Sequence, residues 1–123
     1  MKINNKDPVF YSIMGPVFGS REIQRKTGDR FFDDDQKEWY IEFDNNEEIL
    51  AIVSVDGNIM KNIYGKDDTS LLKILKELYY IISSSIVTSV YEELYREAGY
   101  DVIQHSKNFV KICGGNVNGA IFI

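Results

Sequence analysis

The pattern of apolar and polar residues in the middle of the chain predicts three consecutive strands. Apolar and polar residues alternate along residues 37–44 (KEWYIEFD), which is the period of a half-buried strand. Residues 48–55 are almost continuously apolar, as in a strand covered on both faces. Asp56-Gly57 is a strong turn signal leading into residues 58–65. Together they indicate an antiparallel meander.

A helical period follows the meander. Apolar residues recur there at intervals of three and four, as in an amphipathic helix. The residues on this stripe are Leu71, Leu75, Leu78 and Ile82. We expect Asp68 or Thr69 to cap the helix and the serines at 83–85 to end it.

The flanking segments are shorter. Residues 9–14 (VFYSIM) are β-branched and aromatic, so we expect a first strand, ended by the Gly-Pro pair that follows. Ser20 is expected to cap a helix that reaches about Lys26 and stops at Gly28. The later elements are a strand at 86–90, a helix at 91–98, and a hairpin of residues 100–104 and 108–113.

These elements predict one domain over residues 1–123, with a lead-in at 1–8 and a tail at 114–123. The order is β-α-β-β-β-α-β-α-β-β. It places the chain in the α/β (α+β) class, with a mixed, mostly antiparallel sheet of about six or seven strands and helices on both faces. The two later crossovers imply a parallel pairing.

Composition narrows the possible functions. The net charge of −5 argues against nonspecific binding of nucleic acid. The apolar runs are too short to cross a membrane, and the polar start of the chain has no signal-peptide core, so we expect a cytoplasmic protein. Cys113 and His105 are the only residues of their types, which makes a metal site built on them improbable.

Three stretches, together with the order of elements, resemble the GNAT superfamily of acetyl-CoA-dependent N-acetyltransferases. They are GPVFGSREI (15–23), YEELYREAGYDVI (91–103) and KNFVKI (107–112). The piece LYREAGY is the most specific of them. This resemblance implies a GNAT-like fold and transfer of an acetyl group from acetyl-CoA to an amine.

In that family, a glycine-rich loop and the following helix N-terminus hold the CoA pyrophosphate on backbone N–H groups. Here the corresponding stretch runs from Gly65 to Ser70 and contains Asp67-Asp68 where small residues are expected. Its carboxylates either cap the helix or border a divergent phosphate loop. The residues implied in cofactor binding are Tyr64, Gly65, Lys66, Thr69 and Ser70.

The resemblance also implies catalytic residues. Tyr95 holds the position of the tyrosine that protonates the leaving thiolate, although it is equally suited to packing on its short helix. Glu42, or Glu38 on the same strand face, is the candidate general base. The alternative explanation for both glutamates is a strand surface that faces solvent. No metal is implied.

Two hypotheses follow. In the first, the chain is a divergent GNAT-like N-acetyltransferase acting on a small-molecule or protein amine. In the second, it is a catalytically inactive GNAT-like protein-binding module of phage or plasmid accessory type, and its acidic surface, including Asp33, Asp34 and Asp35, suits a basic protein partner. The apolar stub AIFI at the end of the tail suggests a homodimer through an added edge strand.

Overall fold

The structure is a computed structural model that describes residues 1–116. Within this range the chain forms seven strands, four helices and one 3₁₀ turn, a mixed α+β architecture. In chain order they are β1 (Lys2–Ile3), α1 (Phe10–Phe18), α2 (Arg21–Thr27), β2 (Lys37–Phe43), β3 (Ile49–Asp56), β4 (Ile59–Gly65), α3 (Asp68–Leu78), β5 (Ser84–Thr88), the 3₁₀ turn Ser89–Tyr91, α4 (Glu92–Glu97), β6 (Asp101–Gln104) and β7 (Phe109–Cys113). The stub predicted to add an edge strand lies outside the described residues.

The predicted meander forms the larger sheet, which has the order β1-β2-β3-β4 and is antiparallel throughout. As the alternation along residues 37–44 predicts, Trp39 and Ile41 are buried on one face of β2. Gly57 closes the β3–β4 turn with a φ of 62°, a left-handed conformation that glycine adopts without strain.

The last three strands form a separate sheet of order β5-β7-β6, again antiparallel. One mixed sheet of six or seven strands is therefore not confirmed, and the parallel pairing expected from the crossover is not among the described strand ladders. Strands β4 and β5 are joined only near their starts, where Ser83 N donates to Asn58 O and Met60 N donates to Ser85 Oγ. The two strands are neighbours that belong to different sheets.

Two hydrophobic cores lie on opposite faces of the larger sheet, because side chains along a strand alternate between faces. On β3, Val53 and Val55 point into the core under α3 and α4, whereas Ile52 points into the core under α1. The second core also contains Phe10, Met14, Val17, Phe31, Trp39 and Ile41. Helices thus cover both faces of this sheet, as expected.

The strand predicted at residues 9–14 is wrong, because Phe10–Phe18 is a helix. Phe10, Met14 and Val17 recur at helical spacing and are all buried against the sheet. Burial of this face outweighs the strand preference of a short β-branched and aromatic run. Pro16 lies inside the helix rather than ending the element, and Gly19 follows the last turn.

The helix caps are predicted well at α2 and one residue off at α3. Ser20 Oγ accepts a hydrogen bond from Ile23 N, and Gly28 ends α2 with a φ of 67°. At α3 the cap is Asp67, not Asp68 or Thr69, because its carboxylate accepts from Ser70 N. Helix α3 ends at Leu78, so Ile82 lies outside it and the serines expected to end it do not; Ser84 and Ser85 belong to β5.

Two buried tyrosines make the fold sensitive to alkali. Tyr95 donates to Thr88 O at 2.7 Å and Tyr100 to Leu75 O at 2.6 Å, and burial raises the pKa of both phenols above the usual 10.0. The native state therefore keeps these protons where the unfolded chain releases them. The stability that the neutral phenols contribute is complete below about pH 10 and is lost as pH rises towards the folded pKa values.

We expect the free energy of unfolding to fall as pH rises above about 10, with tyrosinate absorbance from the buried phenols appearing together with loss of circular dichroism. Tyr100→Phe should reduce this fall, since one titrating group is removed. Tyr80→Phe, on a side chain that is 76% exposed, is the matched control and should leave the fall unchanged. Ionisation of all the tyrosines near pH 10 with the fold intact would contradict the assignment.

Candidate functional site

The backbone amides of the loop from β4 to α3 donate hydrogen bonds to acceptors within the protein. Lys66 N and Asp67 N both donate to Leu50 O, at 2.8 and 3.1 Å. Asp67 accepts from Ser70 N at 2.9 Å and from Ser70 Oγ at 2.7 Å, and these bonds lower the pKa of the Asp67 carboxyl. Its carboxylate thus occupies the place of an anion at the start of α3. Lys66 is exposed and pairs with Glu48 at 3.2 Å.

Gly65 is enclosed by side chains from two other elements. Its N–H donates to the Tyr91 hydroxyl at 2.9 Å, and that hydroxyl lies 3.3 Å from Gly65 O. Lys26 Nζ donates to the same carbonyl at 2.9 Å. A Cβ on Gly65 would lie 2.7 Å from Leu71 Cδ2, so close packing of α3 on β4 explains the glycine.

These contacts determine whether the loop can bind the expected acetyl-CoA. A pyrophosphate needs unpaired N–H groups, and the amides of Gly65, Lys66, Asp67 and Ser70 all have acceptors. A pantetheine arm alongside the end of β4 would also have to displace Tyr91. The residues present do not fit this cofactor. Thr69 is exposed on the first turn of α3.

The two candidate catalytic residues are engaged in different parts of the fold. Tyr95 is fully buried in the core under α3 and α4, where its hydroxyl bonds to Thr88 O. Glu42 forms an ion pair with Lys73 on α3 at 3.0 Å. Tyr64 lies on the opposite face of the sheet from Tyr95, in the core under α1. The structure therefore does not bring the residues suggested by the resemblance into one cleft.

A groove of about 870 Å³ opens on the α1 side of the larger sheet, between helices α1 and α2, the start of β3 and the end of β4, and two of the implied cofactor-binding residues, Tyr64 and Lys66, line it. Its walls are mainly apolar, from Val9, Ile13, Pro16, Val17, Ile23, Phe43, Ile49 and Tyr64. Three carboxylates, Glu22, Glu47 and Glu48, line the groove, and Lys66 is already paired with Glu48.

A second cavity of about 340 Å³ lies beside the start of β2 and the β6–β7 turn. Lys37 is only 3% exposed there, and burial lowers the pKa of its amine. Its Nζ donates to Phe32 O at 2.8 Å and to Asn62 Oδ1 at 3.0 Å. Lys37 shares the face of Trp39 and Ile41, so the alternation along residues 37–44 already carried the signal that its side chain points inward.

The acidic loop before β2 is held in place by hydrogen bonds. Asp33 accepts from Trp39 Nε1 at 3.1 Å and from Asn5 Nδ2 at 3.0 Å, and Asn5 also donates to Asp35 at 2.9 Å. Asp34 lies 3.9 Å from Lys37 Nζ. These carboxylates therefore help to fold the loop over the buried lysine.

Comparisons with known proteins leave the family open. No family model, no curated protein and no solved structure matches the chain. Residues 1–116 contain no group of three or more His, Cys, Asp or Glu side chains arranged to hold a metal ion. None of the helices in this range is long and apolar enough to cross a membrane.

Proposed function

We propose that this chain is a protein-binding module on a GNAT-like scaffold that does not use acetyl-CoA. Its partner is a basic protein segment with apolar side chains, which lies in the groove beside α1 and α2. The observation that carries the proposal is the groove itself, an open apolar surface bordered by carboxylates. An apolar patch with a polar edge is typical of a protein interaction site.

The order of elements supports the GNAT-like part of the proposal. Strands β4 and β5 follow one another across α3 and are bonded only near their starts, and β7 lies between β5 and β6. This arrangement agrees with the resemblance carried by LYREAGY.

The contacts of Gly65 and Asp67 favour the binding module over the transferase. Tyr91 and Lys26 satisfy both backbone groups of Gly65, and the Asp67 carboxylate stands where a phosphate would bind. A second negative charge there would be repelled by the Asp67 carboxylate. Tyr95 is buried and bonded to Thr88, so it is placed for packing.

The carboxylates that line the groove favour a cationic partner. Of the three carboxylates that line the groove, Glu48 is paired with Lys66, and Glu22 and Glu47 remain to face a ligand. A cationic segment would gain from both, whereas an acidic one would be repelled. The apolar walls would take the side chains between its basic residues.

We expect a labelled peptide of alternating leucine and lysine to bind the protein, and the same peptide with glutamate for lysine not to bind. The double variant Glu22→Arg/Glu47→Arg should weaken binding about 10-fold or more, since two attractions become repulsions. Fluorescence anisotropy at low and high salt would measure this. The matched control is Glu97→Arg, an exposed position on α4.

Acetyl-CoA is the second arm of the test. At millimolar concentration it should leave the thermal unfolding midpoint unchanged, because a ligand that does not bind the native state adds no stability. A clear upward shift, or transfer of the acetyl group to an amine, would restore the transferase hypothesis. Equal peptide binding by the arginine double variant and the native protein would remove the groove as the docking site.

A further inference from the structure

The smaller sheet, of order β5-β7-β6, has one covered face and one open face. Val87 and Val110 point into the core under α3 and α4. Because side chains along a strand alternate, their neighbours in sequence point the other way. Ile86 on β5 and Ile103 on β6 remain 42% and 59% exposed, and Lys111 on β7 is exposed as well. The side of the sheet that carries these three residues is called the open face below.

Strand pairing brings the three residues of the open face into one row. Ile86 and Ile103 both pair with Lys111, from opposite sides of β7. Side chains paired in this way lie about 5 Å apart. Phe109 and Cys113, two positions from Lys111 on either side, are half-buried on the same face. Ile86 and Phe109 also line the cavity of about 340 Å³ beside β2, so that cavity adjoins one end of the open face.

Positive charge lies at the centre and at one end of the open face, although the chain has a net charge of −5. Lys111 is central, Lys61 lines the adjoining cavity, and Lys107 is exposed in the β6–β7 turn. Asp29 in the cavity accepts a side-chain hydrogen bond at 3.0 Å, and Asp101 lies at the other end of the face, at the start of β6. An apolar surface with cations at its centre and edge is suited to an acidic partner.

We propose that the open face binds an acidic amphipathic helix of a partner protein. The apolar stripe of that helix packs on Ile86, Ile103 and Phe109, and carboxylates beside the stripe pair with Lys61 and Lys111. Three strands about 4.8 Å apart form a face about 10–15 Å wide, which matches a helix about 10–12 Å in diameter. Helices α3 and α4 already cover the other side of this sheet, and a helix on each side is a common layer arrangement.

Charge favours this partner over a second copy of the chain. Two copies packed face to face about a two-fold axis would bring Lys111 of each close to the cations of the other. A basic segment, the partner proposed for the groove, would be repelled here for the same reason. The groove lies on the α1 side of the larger sheet, whereas the open face belongs to the other sheet, so each site can fail without the other.

The probe is a peptide of about 14 residues with leucines at intervals of three and four and glutamates beside them, so that it forms an acidic amphipathic helix. The alternating peptides designed for the groove cannot present one apolar helical face. Titration should give saturable backbone amide shifts at Ile86, Ile103 and Lys111. The same helical peptide with lysine for glutamate should leave these amides unshifted.

Three outcomes would overturn the proposal. The first is that the acidic peptide causes no saturable shift at the open face. The second is that the basic version shifts the same amides equally. In the third, these amides shift with protein concentration alone, which would assign the face to a second copy.

Two variants test the charge and the apolar contact separately. Lys111→Glu should weaken binding of the acidic peptide about 10-fold or more, because an attraction becomes a repulsion. Lys76→Glu is the matched control, since it makes the same change at an exposed position of α3, on the covered side of the sheet, and should bind like the native protein. Ile103→Thr keeps a β-branched residue on β6 but removes apolar surface, and should weaken binding about 5-fold. Undiminished binding by Lys111→Glu would contradict the assignment.

Discussion

Replacing Trp39 by alanine is expected to lower the free energy of unfolding by about 3–5 kcal/mol, the usual cost of removing a buried aromatic side chain. Trp39 is fully buried at the centre of the core under α1. Its ring packs edge-on against Phe18 with a centroid distance of 5.5 Å and lies 6.1 Å from Phe31. Its Nε1 also holds Asp33, so the change releases the acidic loop as well as opening a cavity.

Urea denaturation followed by circular dichroism would measure the loss. Tyr11→Ala is the control, because Tyr11 is 65% exposed on α1 and its removal leaves no cavity. That variant should stay within about 0.5 kcal/mol of the native protein. A loss below about 1 kcal/mol for Trp39→Ala would mean that this core is not packed as described.

The sheet of the meander could be predicted because its signals are local. The period of two in residues 37–44, the apolar run that follows and the Asp56-Gly57 turn each act over a few residues. Helix α1 could not be predicted in the same way. Its buried face is formed by Phe10, Met14 and Val17. Their helical spacing favours a helix only because the sheet is there to bury them.

The candidate site was harder to predict because its contacts join distant parts of the chain. Tyr91 reaches Gly65 from 26 residues away, and Lys26 reaches the same glycine from 39 residues away. No local pattern indicates that a glycine at a strand end is enclosed in this way. The groove beside α1 was equally hidden, since residues 9–14 were expected to form a strand.

The burial of Lys37 could be predicted only in part from the sequence. The alternation of β2 places it on the inward face, yet a lysine at the first position of a strand can equally point into solvent. Its burial depends on the loop at residues 29–35 folding over it, with Phe32 O accepting from its amine. Trp39 and Asn5 hold that loop through Asp33. The environment of one lysine therefore depends on contacts that cross three segments of the chain.

The second large effect is expected at Asn62, the residue that pairs with this lysine. Asn62→Leu keeps a similar volume but removes an acceptor from Lys37 Nζ, an acceptor from Ser54 Oγ and a donor from Asp29. Each buried group left without its partner costs about 1–3 kcal/mol, and more when it is charged, so the three losses together should cost about 3–5 kcal/mol. We expect a loss of this size in urea denaturation. Asn45→Leu, in the exposed β2–β3 turn, should change stability by less than about 0.5 kcal/mol.

A double-mutant cycle separates the lysine from the other partners of Asn62. In a Lys37→Met background no buried charge remains, so Asn62→Leu should cost less there than in the native protein, by about 2–3 kcal/mol. The remaining cost would come from Ser54 and Asp29. If Asn62→Leu cost the same in both backgrounds, the Lys37–Asn62 bond would contribute nothing to stability.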